Sequence, residues 1–247
     1  CTSTTFSSYS IGRINRIGKN TNNSDENTKN GRVVVINPNS TKAVTEGIDA
    51  ALHPLRFSDG PQFDCITIEE GPKGIATQRQ VDGVVAPLCK AITKESNSAD
   101  AFVIACFSDP GLYSAREVTN KPVFGIGTSS FAQATLVGER FGIIAILEQS
   151  SVRQRRAVRL MGFESRYAGS LPIGFGAEEL EGDKVQDRMV EVGQTLIETH
   201  GADVLIMGCA GMACYRTYIE RTLGVPVIDP SQAAAIQAMA AVRLARA

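Results

Sequence analysis

The chain has no tryptophan, only two histidines, and no apolar run approaching the ~20 residues of a membrane-spanning helix. The missing run excludes an α-helical membrane anchor, and no membrane partner is expected. Scarce histidine removes the commonest general base and metal ligand. His53 and His200 lie far apart in sequence, beside Pro54 and Gly201, and read as helix-terminal cations. Neither a metal site nor a Cys-His protease pair is therefore expected. Positive charge is not in excess either: 25 Lys+Arg against 26 Asp+Glu leave a formal net charge of -1. That balance excludes the strongly basic surface that nucleic-acid binding needs. No glycine-rich loop ends in Gly-Lys-Ser/Thr. Gly125-Ile126-Gly127-Thr128-Ser129-Ser130 lacks the third glycine of a dinucleotide loop and reads as a loop at a crossover. No cofactor is expected. Six cysteines in 247 residues are too sparse for a disulfide scaffold, and reduced thiols favour a cytoplasmic location.

What is present begins with a polar arm. Sixteen of the first 30 residues are Ser, Thr or Asn, too little apolar surface to offset the entropy of ordering. Residues 1–30 read as a disordered tail or an appended remnant, ahead of an organelle transit peptide. A chain opening on Cys rather than Met is expected to have lost what preceded it. From Gly31 onward, short β-branched runs alternate with helical patterns. Strands are expected at 32–37, 63–68, 101–105, 123–126, 141–147, 165–171, 204–207 and 227–228. Helices are expected from Ser40 or Thr41 to about 52, then at 77–96, 109–119, 151–161, 182–199, 212–223 and 231–246, the last capped by Ser231. Such alternation implies parallel sheets built from βαβ units.

The pattern repeats. Ala99-Asp100, an apolar strand and Cys106 parallel Ala202-Asp203, an apolar strand and Cys209. Pro122-Val123 parallels Pro226-Val227, and Asn37-Pro38-Asn39-Ser40 stands against Leu147-Glu148-Gln149-Ser150. Three ordered matches at offsets of about 103 to 110 residues indicate two copies of one α/β unit. The first half spans 31–128 plus 230–247, the second 129–229. Ligands of open α/β sheets bind beyond the carboxyl ends of the strands, where Asn37, Cys106, Leu147 and Cys209 fall. If the halves face each other about a pseudo-two-fold axis, the two cysteines approach one cleft from opposite sides. A thiolate on one face and a thiol on the other can remove a proton from an acidic carbon and return one inverted, with no cofactor. Expected helix starts after each cysteine would lower the thiol pKa values, with Asp109 opposing this at Cys106. Cys65, Cys89 and Cys214 lack the pairing and are expected to pack. Arg153, Arg155, Arg156 and Arg159 share a helix and read as a solvated or subunit-facing surface.

Ile36-Asn37-Pro38-Asn39-Ser40-Thr41, Cys106-Phe107-Ser108-Asp109-Pro110-Gly111-Leu112, Gly208-Cys209-Ala210-Gly211-Met212 and Val225-Pro226-Val227-Ile228-Asp229-Pro230 resemble the hydantoin/allantoin racemase branch of the aspartate/glutamate racemase superfamily. The resemblance covers about 32–247. It implies two pseudo-symmetric flavodoxin-like halves with the active site between them. It also implies a cofactor-independent racemase of 5-substituted hydantoins or allantoin, and a homo-oligomer. By position, Cys106 and Cys209 correspond to the acid/base pair. Asn37, Ser40, Phe107, Ser108, Ala210, Gly211 and Met212 correspond to substrate-holding segments. The residues after the cysteines, Phe107-Ser108 and Ala210-Gly211, suit a flat uncharged ureide better than an amino acid. The chain departs from the branch pattern at Ser108, at Thr128 and at Ile146-Leu147, each near the expected pocket. Two cysteines disfavour an arylmalonate decarboxylase. A maleate-type isomerase using covalent cysteine chemistry, and a non-catalytic small-molecule binding protein, are the alternatives on the same scaffold.

Overall fold

A computed structural model describes residues 30–180 and 182–246. The expected N-terminal arm, apart from Asn30, lies outside the described residues. The β-branched run Arg32–Asn37 forms strand β1, with Val33 and Val35 in one core and Val34 and Ile36 in another. Burial on both faces is what a near-continuous apolar strand of a parallel sheet predicts. Helix α1 (Lys42–Ala51) leads to β2 (Gln62–Thr67). Helices α2 (Gln78–Gly83) and α3 (Val85–Glu95) precede β3 (Ala101–Ile104), and α4 (Leu112–Glu117) precedes β4 (Val123–Gly125). Helix α5 (Ile126–Val137) crosses to the second half. There β5 (Phe141–Ala145), α6 (Glu148–Leu160), β6 (Tyr167–Pro172), α7 (Asp183–Glu198), β7 (Val204–Met207), α8 (Arg216–Leu223) and β8 (Val227–Ile228) follow. The last helix is α9 (Pro230–Arg246), packed on α5, β3, β4 and β1.

Two parallel four-stranded sheets result, ordered β2-β1-β3-β4 and β6-β5-β7-β8. The orders are the same once the second half is counted from its own first strand, as a duplicated unit requires. The repeated aspartates explain why Ala-Asp recurs. Asp100 Oδ2 accepts the Arg32 N–H at 2.9 Å and the Arg246 guanidinium at 2.8 Å. Asp203 accepts the N–H groups of Arg140 and Glu139 at 2.8 and 2.9 Å. Each aspartate thus ties the start of its half's central strand pair. Slight burial acts to raise the Asp203 carboxyl pKa, but those N–H bonds outweigh it and hold the carboxyl below its ordinary range.

Several elements differ from expectation. The single helix expected over 77–96 breaks at Val84, because Pro87 has no N–H to offer the Gly83 carbonyl one turn earlier. The helix expected from Asp109 begins only at Leu112, since Asp109 and Gly111 have φ of 45° and 62°, outside the helical region. Residues 125–130 were expected to form a crossover loop, but from Ile126 onward they open helix α5. Ile126, Ser129, Ser130, Phe131 and Ala134 are all buried, and a helix hidden on several sides shows no amphipathic period. The helix expected over 212–223 begins only at Arg216, and residues 210–215 form a 3-10 turn before it. Helix α6 begins at Glu148, three residues before the expected start. Asp229, not Ser231, caps α9: its Oδ1 accepts the Gln232 N–H at 2.8 Å.

Two outcomes follow for stability. Asp203→Ala strips the acceptor from two backbone N–H groups and should cost about 1–2 kcal/mol, read as a lower urea midpoint at unchanged m. Burial raises the Asp229 carboxyl to about 6, against N–H bonds from Gln232 and Ser231. A carboxyl with a raised folded-state pKa favours folding when protonated, so its contribution grows as pH falls through 6 and is lost above it. Acidification from neutral to pH about 5.5 should add about 1 kcal/mol from this group. Asp229→Asn keeps the Oδ1 bond and should remove that increment from the pH dependence of Tm.

Candidate active site

Ladder geometry puts the two paired cysteines at equivalent places. The Ala105 and Gly208 N–H groups extend the β3 and β7 ladders onto the carbonyls of Ile36 and Ile144, each at 2.8 Å. The next residues are Cys106 and Cys209. A side chain at Gly208 would meet the Ile144 carbonyl oxygen at 2.6 Å and Gln154 Nε2 at 2.8 Å, so the approach to Cys209 needs glycine. Both thiols line one cavity of about 40 Å³, walled further by Asn39, Phe107, Ser108, Ile146, Ser150, Arg153 and Gln154.

The loop after Cys106 is held from the far side. Asp109, at φ 45°, is the only non-glycine residue with positive φ among the described residues. Its carboxylate accepts the Gly127 and Thr128 N–H groups at 2.8 and 2.7 Å. A Cβ on Gly125 would lie 2.3 Å from the Asp109 carboxyl carbon. The Gly-Ile-Gly-Thr motif is therefore a carboxylate cradle at the start of α5. Burial raises Asp109 to about 6 despite those bonds. Phe107 turns into the second half's core, edge-on to Phe131 at 5.7 Å, while still lining the cavity.

The electrostatics reverse one expectation. Cys106 is pushed up to about 12, not down. Burial is the largest cause; the charges of Cys209 and Asp109 add to it, and an N–H bond from Ser108 and the charge of Arg153 oppose it. The helix start that was to lower it does not exist, since α4 begins six residues later. The influence of Cys209 on Cys106 also means that the pair resists carrying two negative charges.

The structure gathers some expected residues and removes others. Cys106, Cys209, Phe107, Ser108 and Ala210 line the cavity. Asn37 is 1% exposed and lies behind it, donating to Asn39 Oδ1 at 3.0 Å and to Thr45 Oγ1 at 3.0 Å. Asn39 faces the cavity in its place. Ser40 does not line it, and its N–H bonds the Pro72 carbonyl. Gly211 also stands outside the lining, although a Cβ there would be 3.8 Å from Cys209 Sγ. Met212 is wholly buried in the second core and packs. Of the departures from the branch pattern, Ser108 and Ile146 reach the cavity, whereas Thr128 serves Asp109 and Leu147 packs against the second core. Cys65 is partly buried against the first core and Cys89 is partly buried on α3; Cys214 is exposed rather than packed.

Ser150, Arg153 and Gln154 were not foreseen. They stand at i, i+3 and i+4 on one face of α6. Starting α6 at Glu148 would have shown this face turned toward the strand end. Arg153, read as surface, is half-buried and donates to Ser108 Oγ and Ser150 Oγ, both at 3.3 Å.

Residues 33–238 match the sequence pattern of the Asp/Glu/Hydantoin racemase family. The chain belongs to that family. It is an isomerase, a racemase. Over 204 residues the racemase is 35% identical to the hydantoin racemase of Pseudomonas sp. strain NS671, covering 80% of each chain. It is 32% identical over 207 residues to the hydantoin racemase of Paenarthrobacter aurescens, covering 82% of this chain and 87% of that one. Its structure superposes on the allantoin racemase from Klebsiella pneumoniae with a TM-score of 0.83 at 29% identity, covering 87% and 89% of the two chains. These neighbours share the two-sheet α/β architecture. Among the described residues, the racemase has no helix long and apolar enough to cross a membrane.

Thiol reactivity offers a direct check. With its pKa raised to about 12, Cys106 should be alkylated by iodoacetamide at neutral pH far more slowly than exposed Cys214. Its rate should still be climbing with pH above about 9, where an ordinary thiol levels off. Peptide mapping by mass spectrometry resolves the two.

Proposed function

We propose that this racemase inverts the C5 stereocentre of a 5-substituted hydantoin or of allantoin by proton transfer between Cys106 and Cys209. The observation that carries the reading is the convergence of both thiols on one cavity from equivalent strand ends of two repeated halves. C5 of a hydantoin is acidified by its adjacent carbonyl. One cysteine, as thiolate, takes the C5 proton from one face and becomes a thiol. The electron pair moves onto the carbonyl oxygen, giving an enolate. The other cysteine, as thiol, delivers its proton to the opposite face and becomes a thiolate. The next turnover of the product enantiomer runs the same steps backward, so neither an oxidant nor a cofactor is consumed.

Burial of Cys106 serves this chemistry. At neutral pH it keeps Cys106 a thiol, the form that delivers a proton, and it makes any thiolate formed there a strong base. The N–H groups that open the 3-10 turn after Cys209, at Ala210 and Gly211, face no earlier carbonyl of their own turn. They and the Ser108 hydroxyl can receive the negative charge that develops on oxygen. Phe107, Ile146 and Ala210 give the ring an apolar bed. The need for reduced thiols favours the cytoplasm as the place of work.

The test is solvent exchange. In deuterium oxide, a single enantiomer of a 5-substituted hydantoin or of allantoin should gain deuterium at C5 as its optical rotation decays. Cys106→Ser and Cys209→Ser should each cut racemisation by at least about 100-fold, while one variant can retain exchange without inversion. Absence of exchange with every such ureide, or full racemisation by either single variant, would overturn the proposal.

A further inference from the structure

Beside the cysteine cavity runs a groove of about 190 Å³ that shares Phe107, Ser108, Arg153 and Gln154 with it. Its outer wall is formed by Gln78, Val81, Arg156, Ala157 and Leu160. Two cations therefore border it, and among the described residues no carboxylate lines either space. Arg153 spends its donors on two hydroxyls at 3.3 Å, Ser108 and Ser150. Arg156 reaches only the Gln78 side-chain oxygen, at 3.4 Å. Neither makes an ion pair among the described residues, whereas Arg159 on the same helix pairs with Glu164 at 2.8 Å. Burial and the neighbouring Arg156 hold the Arg153 guanidinium below its usual range, with Cys106 opposing them. Long hydrogen bonds to neutral partners and mutual repulsion leave this pair short of negative charge, and guanidinium forks match carboxylate geometry.

We propose that the groove receives an anionic substituent of the substrate. Resting on the racemase reading above, this makes the preferred substrates hydantoins whose C5 arm ends in a carboxylate. The ring lies between Cys106 and Cys209, and the carboxylate lies between Arg153 and Arg156. The inner cavity supplies the chemistry and the groove supplies the choice of arm. A ring entering through the groove passes Phe107 and Ser108, two of the four residues common to both spaces.

Binding separates this from the chemistry. Calorimetry with 5-(carboxymethyl)hydantoin and its neutral isostere 5-(carbamoylmethyl)hydantoin gives a ratio of dissociation constants that does not depend on turnover. The wild-type protein should bind the carboxylate at least about tenfold more tightly. Arg156→Gln, at an exposed position where folding is not at stake, should reduce that ratio to below about threefold. Arg153→Gln combined with it should bring the ratio to about unity. Equal affinities in the wild-type protein, no binding of either compound at millimolar concentration, or an undiminished ratio in both variants would overturn the proposal. Racemisation of 5-methylhydantoin, which has no anionic arm, is followed in parallel. Its absence alongside a retained carboxylate preference would sink the ureide chemistry and leave the anion site standing.

Discussion

One carboxylate ties the loop after Cys106 to the head of the helix that links the two halves. Asp109 lies three residues past Cys106, in a backbone conformation that only glycine adopts without cost. It is kept there by the N–H groups of Gly127 and Thr128 at the head of α5, the helix that carries the chain from one sheet to the other. Between them Phe107 reaches into the second half's core, in line with Phe131, Phe141 and Tyr167. Together, the strained turn, the cradle and the aromatic ladder place Cys106 relative to a sulfur that belongs to the other sheet. Separate sheets could otherwise shift against each other. The proton relay proposed between their strand ends would tolerate little shift, because transfer needs contact near hydrogen-bond distance.

The same arrangement bears on the ionisation of the site. A carboxylate and a thiol a few residues apart, both buried, would be costly if charged together. The protein satisfies the carboxylate with two backbone donors and leaves Cys106 a weak acid. Among the described residues, half-buried Arg153 is the cation whose charge offsets a thiolate at Cys106. Burial here opposes ionisation while increasing the basicity of whatever ion is formed.

Much of this was legible in the residues, for reasons that can be named. The β-branched runs disclosed the strands because parallel sheets bury both faces, and the Ala-Asp repeat disclosed the duplication because each aspartate ties down the start of a central strand. The cysteines followed from the repeat. What escaped notice had no local signature. Helix α5 is buried too fully to show a polar face. The break at Val84 was marked by Pro87, but only through a carbonyl four residues earlier. The positive φ of Asp109, a residue that ordinarily begins a helix, hid the late start of α4. Arg153 did not stand out among four arginines because a helix starting at Ser151 leaves out Ser150, the residue that shares its face. Asn37 was expected to touch substrate and instead holds Asn39, a difference of one layer that sequence position does not distinguish.

The walls on the two sides of the cavity are unlike. Asn39 and Val44 come from the first half, whereas Ser150, Arg153 and Gln154 come from the second. For a reaction that interconverts mirror-image forms of one stereocentre, the equilibrium constant is unity, so kcat/KM must be the same in both directions. No asymmetry of the walls can make such a catalyst favour one enantiomer at equilibrium. It can only divide that common ratio differently, with one hand of the substrate held tightly and turned over slowly and the other held loosely and turned over fast. The unequal helix faces, grafted on equal folds, therefore govern which enantiomer occupies the site and leave the final mixture to thermodynamics.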